Sequence, residues 1–169
     1  MKQTDNFKFD EANVMNELVY RNLSEDAKRQ ICAWKYGGEY DLYNLPSYEE
    51  MQVRQIGFMN PKNEKNYYGF WDESILVGFV NILEEKEEVF IGIGVNPDLC
   101  NKHYGQRMLL ITYEISKKLY PNKPLYLEVR TWNIRAVKCY QKAGFRIDGQ
   151  AYELTTGIGT GTFYRMIRE

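Results

Sequence analysis

The chain holds one histidine and three cysteines among its 169 residues. A single histidine, His103, excludes a His-rich zinc site and argues against a Ser-His-Asp triad. Cys32, Cys100 and Cys139 are odd in number and widely spaced. They form neither a disulfide framework nor a paired C-x-x-C zinc pattern, so no metal is expected. Neither Cys100 nor Cys139 belongs to a Cys-His-Asn pattern, which sets cysteine catalysis aside. A reducing cytoplasm suits this usage. Long apolar runs are missing too: residues 75–80 form one of the longest, far too short to span a bilayer. Residues 1–6 lead into no apolar signal core. Neither a membrane partner nor secretion is expected. No Pro/Gly/Ser linker and no repeat divides the chain, so residues 1–169 read as one domain. The P-loop pattern G-x-x-x-x-G-K-[ST] and the dinucleotide turn G-x-G-x-x-G are both absent.

What remains is ordinary globular material, 44% hydrophobic and 27% charged, with 14 tyrosines. Its charge is unevenly spread. Residues 1–99 carry 10 Lys/Arg against 18 Asp/Glu, whereas residues 100–146 carry 10 against 2. The last 23 residues carry 2 against 3, and the net charge is −1. A basic block of this kind suits a phosphorylated ligand or a nucleic acid, and an acidic half suits a cationic substrate. Alternatively, the blocks intermix on folding and the surface is even. An isoelectric point near 6.0 and the lack of an aromatic-basic nucleic-acid motif argue against nucleic acid.

Local patterns predict the element order β-α-α-β-β-β-α-β-α-β-β. Residues 17–23 alternate weakly, as a first strand. Ser24, followed by Glu25 and Asp26, starts a helix that ends near residues 34–38. Ser47 caps a second helix running to about Met59. Residues 66–72, 75–84 and 89–95 are β-branched and aromatic runs, an antiparallel meander. Gly92 and Gly94 in the last of these suggest a bulge or a close ligand approach. Met108, Ile111, Thr112, Ile115 and Leu119 share one helix face. Residues 124–130 alternate as a strand. Asn133 caps a short helix, Gly144 ends it, and residues 145–148 and 161–167 are the last strands. A strand, helix and strand over 89–130 require a crossover, hence one parallel pair within a mostly antiparallel sheet. The fold class is α/β (α+β).

Chemistry concentrates in two stretches. Leu99-Cys100-Asn101-Lys102-His103-Tyr104-Gly105-Gln106 runs from the fourth strand into a helix start, where unpaired amides and the helix dipole favour phosphate. Gly105 admits close backbone approach, and Lys102, His103 and Arg107 add positive charge. The second stretch, from Asn133 to Phe145, reads N-x-x-A-x-x-x-Y-x-x-x-G-F. It resembles the C-terminal half of the GCN5-related N-acetyltransferases (GNAT). The likeness covers about residues 86–149, and the element order extends it to nearly the whole chain. The loop departs from the family pattern [QR]-x-x-G-x-[GA]: Gly105 matches, but Cys100 and His103 stand at the first two fixed positions.

The resemblance implies a twisted sheet of about seven strands flanked by about four helices, with strands four and five parallel and splayed. It implies acetyl-CoA as cosubstrate in that opening. The pantetheine arm would pair with Ile93, Gly94 and Val95. The pyrophosphate would sit on Asn101, Lys102, His103, Tyr104, Gly105 and Gln106. Asn133 would flank the pantetheine, and Tyr140 would protonate the leaving thiolate. The implied reaction is transfer of acetyl to a primary amine of a small molecule or protein, cationic by the charge argument, by direct attack. The alternative is a non-catalytic acyl-CoA-binding or regulatory domain. Monomer and homodimer both fit. Glu87, or its neighbour Glu88, stands where some members place a general base, and Glu39 is a rival. Trp34, Tyr36, Tyr40, Tyr43 and Tyr48 could line an acceptor pocket with Glu39 and Asp41 nearby, or simply pack their loop. The segment W-K-Y-x-G-E-Y-x-x-Y-N looks like those of a bacterial branch of the same family.

Overall fold

In a computed structural model of the chain, residues 18–169 are described; Glu17, assigned to the first strand, lies outside them, as do residues 1–16. An eight-stranded sheet has the order β1-β2-β3-β4-β5-β8-β6, with β7 also paired to β8. β1 (Val19–Asn22), β2 (Tyr67–Asp72), β3 (Ile75–Glu84) and β4 (Val89–Val95) form the antiparallel meander. β4 pairs in parallel with β5 (Leu125–Arg130), which pairs antiparallel with β8 (Gly159–Arg168). β6 (Arg146–Ile147) and β7 (Tyr152–Thr156) both lie along β8. β7 falls in a stretch without a sequence assignment. It exists because Thr156 pairs with Gly159 across a two-residue turn and zips back along β8.

Helices cover both faces. α1 (Glu25–Ala33) starts where Ser24 accepts from the Ala27 amide at 3.2 Å. α2 begins at Ser47 in the same way, but it is short, Tyr48–Arg54. The expected continuation to Met59 fails because Gln55 turns left-handed at φ 49°, and a 3-10 turn, Gly57–Met59, follows. α1, α2 and the 3-10 turn pack Ile31, Met51 and Phe58 against Trp71, Leu76 and Phe79 of the sheet. α3 (Tyr104–Leu119) buries Met108, Leu109, Ile111 and Ile115 in the opposite core, with Val80, Ile91 and Leu127. α4 (Ile134–Lys142) adds Val137 to it. No helix among the described residues is long and apolar enough to cross a membrane.

One feature of the sheet positions everything else. β4 and β5 pair only at Val89–Leu125 and Phe90–Tyr126. Beyond that point the strands part, although β4 stays paired with β3 through Val95. The register with β3 shows no slip at Gly92 or Gly94, so the bulge expected there is absent. Gly94 is required instead by packing: a Cβ there would lie 2.4 Å from the Phe79 ring.

Candidate active site

The gap between the parted strands is the floor of a cleft of about 620 Å³. Ile93, Gly94 and Val95 line one bank, and Leu127 to Arg130 the other. The start of α3 and one side of α4 close one end, contributing Asn101, His103, Tyr104, Gly105, Gln106, Asn133 and Tyr140. Of the residues the sequence assigned to the cosubstrate, Lys102 alone does not line the cleft; it is exposed in the turn before α3.

The loop into α3 folds through two left-handed residues, Asn101 (φ 63°) and His103 (φ 64°). His103 occupies the helix cap position without a side-chain cap bond. The amides of Tyr104, Gly105 and Gln106 precede the first intrahelical bond, which runs from Arg107 to the His103 carbonyl. These are the orphan donors of the helix. Asn96 anchors the loop: its Oδ1 accepts from Asp98, and its Nδ2 donates to Leu76 of β3. Gly105 lines the cleft and also serves packing, since a Cβ there would lie 3.0 Å from the Cys139 sulfur. The glycine thus lets α3 and α4 meet. Lys138 and Lys142 of α4 add positive charge to this end of the cleft.

Asn133 caps α4, its Oδ1 accepting from the Ala136 amide at 3.2 Å. Its Nδ2 also donates to the Tyr43 hydroxyl at 3.4 Å. Tyr140, about two turns along the same face of α4, is half-buried. Burial raises its hydroxyl above the ordinary phenol value, and Cys139, Tyr43 and Tyr36 push the same way against Arg135. The phenol therefore keeps its proton at neutral pH. Burial also pushes the neighbouring Cys139 thiol up to about 11. Cys100 is raised by the same cause. Neither thiol is a nucleophile at neutral pH.

The segment from Trp34 to Leu45 roofs the cleft. The Tyr36 hydroxyl donates to the Val95 carbonyl at 2.7 Å, and Asn44 clamps the Tyr36 backbone at both its N–H and C=O. Tyr40 and Tyr43 pack on Trp132, and Arg135 lies 4.0 Å over the Tyr40 ring. Thus Trp34, Tyr36, Tyr40 and Tyr43 reach the cleft. Tyr48 does not: it caps the other core, its hydroxyl bonded to Glu25 and its ring covered by Arg29. Glu39 and Asp41 are exposed and outside the cleft lining.

Glu87 is not brought to the cleft. It sits on the β3–β4 turn, its side chain 81% exposed and facing Lys86 at 3.9 Å. β4 runs from that turn to the open end, roughly 20 Å away by strand rise. Glu88 is likewise engaged, in a two-toothed pair with Arg165, which also holds Asp148. The carboxylate that does line the cleft is Glu128 of β5, which accepts from the Tyr152 hydroxyl at 2.8 Å. Beside it is Arg130, only 8% exposed. Sequence reasoning missed both, because alternation in residues 124–130 marks them simply as every second residue of a strand.

A sequence model described as Acetyltransferase (GNAT) family matches residues 28–145. No curated protein matches the chain by sequence. Among solved structures, an acetyltransferase (GNAT family) from Bacillus anthracis superposes with a TM-score of 0.74 at 17% identity, covering 90% of this chain and 94% of that one. The spermidine N-acetyltransferase from Vibrio cholerae, in complex with CoA and spermine, gives 0.72 at 17% identity, covering 90% and 95%. A chimera of that enzyme with hSSAT gives 0.71 at 19%, covering 89% and 94%.

Proposed function

We propose that this chain, which belongs to the acetyltransferase (GNAT) family, moves the acetyl group of acetyl-CoA onto a primary amine by direct attack. The observation that carries this reading is the early end of the β4–β5 pairing, after Phe90, beside a helix start with free amides. An extended arm with amide groups fits a strand edge left without a partner strand. A pyrophosphate fits the α3 amides with Lys138 and Lys142 around it. The thioester supplied by acetyl-CoA is the acyl donor.

The chain's own residues do four things in this reading. Ile93, Gly94 and Val95 hold the arm, and a β4 amide facing the gap donates to the developing oxyanion. Asn133 flanks the arm while capping α4. Glu128 takes the first proton from the incoming ammonium, so that the nitrogen can form its bond to the acyl carbon. Tyr140 gives its proton to the sulfur as the C–S bond breaks, and the second proton lost by nitrogen restores the phenol. Burial raises Tyr140, so the phenol holds its proton until negative charge develops on the leaving sulfur. Tyr140 and Glu128 replace the pairing of Tyr140 with Glu87.

Calorimetric titration with acetyl-CoA, CoA and dephospho-CoA, followed by thiol release over an amine panel, tests the reading. Micromolar binding with turnover is expected. Binding without turnover of any amine would leave a non-catalytic acyl-CoA-binding domain.

A further inference from the structure

Among the described residues, the carboxylates of the first half of the sequence do not gather around the cleft. Glu25 and Glu64 hold the buried Lys28, Glu88 holds Arg165, and Asp72 accepts from Tyr104. Among the described residues lining the cleft, Glu128 is the one carboxylate, against Arg130, Arg135, Lys138 and Lys142. Lys138 and Lys142 lie on α4 at the proposed pyrophosphate end, and Arg135 is taken by the Tyr40 ring. Arg130 is left.

Arg130 is more than nine-tenths buried and has no carboxylate within ion-pair distance among the described residues. Its Nη1 donates to the Thr160 carbonyl at 3.5 Å and its Nη2 to the Gly159 carbonyl at 3.3 Å, both long. Its Nε is buried with no hydrogen-bond partner. The guanidinium lies 4.9 Å over Phe163. A Cβ at residue 161 would fall 2.0 Å from Nη1, so glycine there makes its seat. Arginine cannot shed its charge, and a buried charge without a counter-ion is costly. Glu128 and Arg130 point to the same side of β5, about 7 Å apart along the strand. Phe79, Phe90 and Phe163 supply apolar walls nearby.

We infer that the amine acceptor carries a carboxylate, and that Arg130 receives it while Glu128 receives the ammonium. The acceptor class is a free amino acid with an apolar or aromatic side chain, not a polyamine. This rests on the acetyltransferase reading above and narrows it. Arg130 is then a specificity residue: a bidentate guanidinium–carboxylate bond fills the donors the fold leaves open.

The test uses matched pairs in the thiol-release assay with the full chain: L-phenylalanine against phenethylamine, L-leucine against isopentylamine, and spermidine alone. Acetyl-CoA affinity is measured separately by calorimetry. The expected result is a kcat/KM preference of about 30-fold or more for the carboxylate member, the size of a hydrogen-bonded charge pair. Arg130→Gln brings the ratio within about threefold, and Arg130→Lys restores part of it. The wild-type ratio stands even if a variant does not fold. Faster turnover of the anion-free amines or of spermidine, or acetyl-CoA binding with turnover of neither member, overturns the inference. Absence of acetyl-CoA binding overturns the acetyltransferase reading itself.

Discussion

The two ends of β4 behave as different materials. At the start, Val89 and Ile91 are fully buried, with partners on both edges as far as Phe90. From Gly92 to Val95 every residue is half-exposed, and one edge of the strand faces the cleft. Both glycines lie in the open half, but Ile93 and Val95 there are as apolar as Val89 and Ile91, so hydrophobicity does not cause the difference. The neighbour causes it: β5 parts from β4 after two residue pairs, and α3 and α4 then approach from the gap's far side. A strand can thus be core at one end and an open edge at the other. The comparison teaches how the open half keeps its place: the paired half continues into it, and β3 stays paired with it through Val95.

Substitutions should separate the two ends. The largest effect is expected from Tyr140→Phe at the open end. Loss of a general acid lowers kcat by about 100-fold or more while the affinity for acetyl-CoA is retained. In the wild type, activity should persist through neutral pH and fall only above about pH 10, because burial raises the phenol and its protonated form is the active one. A kcat–pH profile checks this; an equal limb in Tyr140→Phe would assign the limb to another group. Next comes Ile91→Ala at the paired end, which removes a side chain 1% exposed and is expected to cost about 2–5 kcal/mol. Ile93→Ala should cost less than half of that and weaken acetyl-CoA binding instead. Denaturant melts and calorimetry of the pair read both quantities. If Ile93→Ala proved as destabilising as Ile91→Ala, the two ends would not differ in the way described.

The glycines sharpen the contrast further. Gly94→Ala drives a Cβ into the Phe79 ring, which packs near Trp34, Phe58 and Tyr67. A cost of about 1–3 kcal/mol is expected. Gly92→Ala meets only ordinary contacts, the nearest being Asn81 Cβ at 3.5 Å. It should be neutral or gain about 0.5 kcal/mol by restricting the unfolded chain. Thermal melts of the two alanine variants side by side decide it.

Much of this was legible in the sequence where the physics is local. The Ser24, Ser47 and Asn133 caps are short-range hydrogen bonds, and each forms as its residue type suggests. The α3 stripe and the meander follow from periodicity. What was not legible depends on distant partners. Tyr36 donates to Val95, 59 residues away. β7 forms only because β8 offers an edge. Gly94 and Gly105 line the cleft, but the sequence did not show that each also makes room for a side chain, Phe79 or Cys139. Glu87 and Glu128 are both Glu on strands or their turns; only the direction of β4 shows that one faces solvent and the other the cleft.

The smallest expected effect concerns His103, where the resemblance has a glycine. The residue sits at φ 64°, a region costing a non-glycine residue roughly 1–2 kcal/mol. Its side chain makes no cap bond to α3 that would offset the strain. The backbone therefore keeps a glycine conformation with a side chain attached, and the α3 amides still line the cleft. Glycine also adds entropy to the unfolded chain, which opposes the relief by up to about 1 kcal/mol. His103→Gly should consequently change the melting midpoint little, and upward if at all. Its effect on ligands sorts two roles for the imidazole. Tighter binding of both CoA and dephospho-CoA means that the Cβ crowds the pyrophosphate seat. Weaker binding of both, without a change in the melt, means that the ring donates to a phosphate and offsets the strain only when ligand is bound. Calorimetric titration of both ligands into the wild type and into His103→Gly, beside their thermal melts, separates the two outcomes.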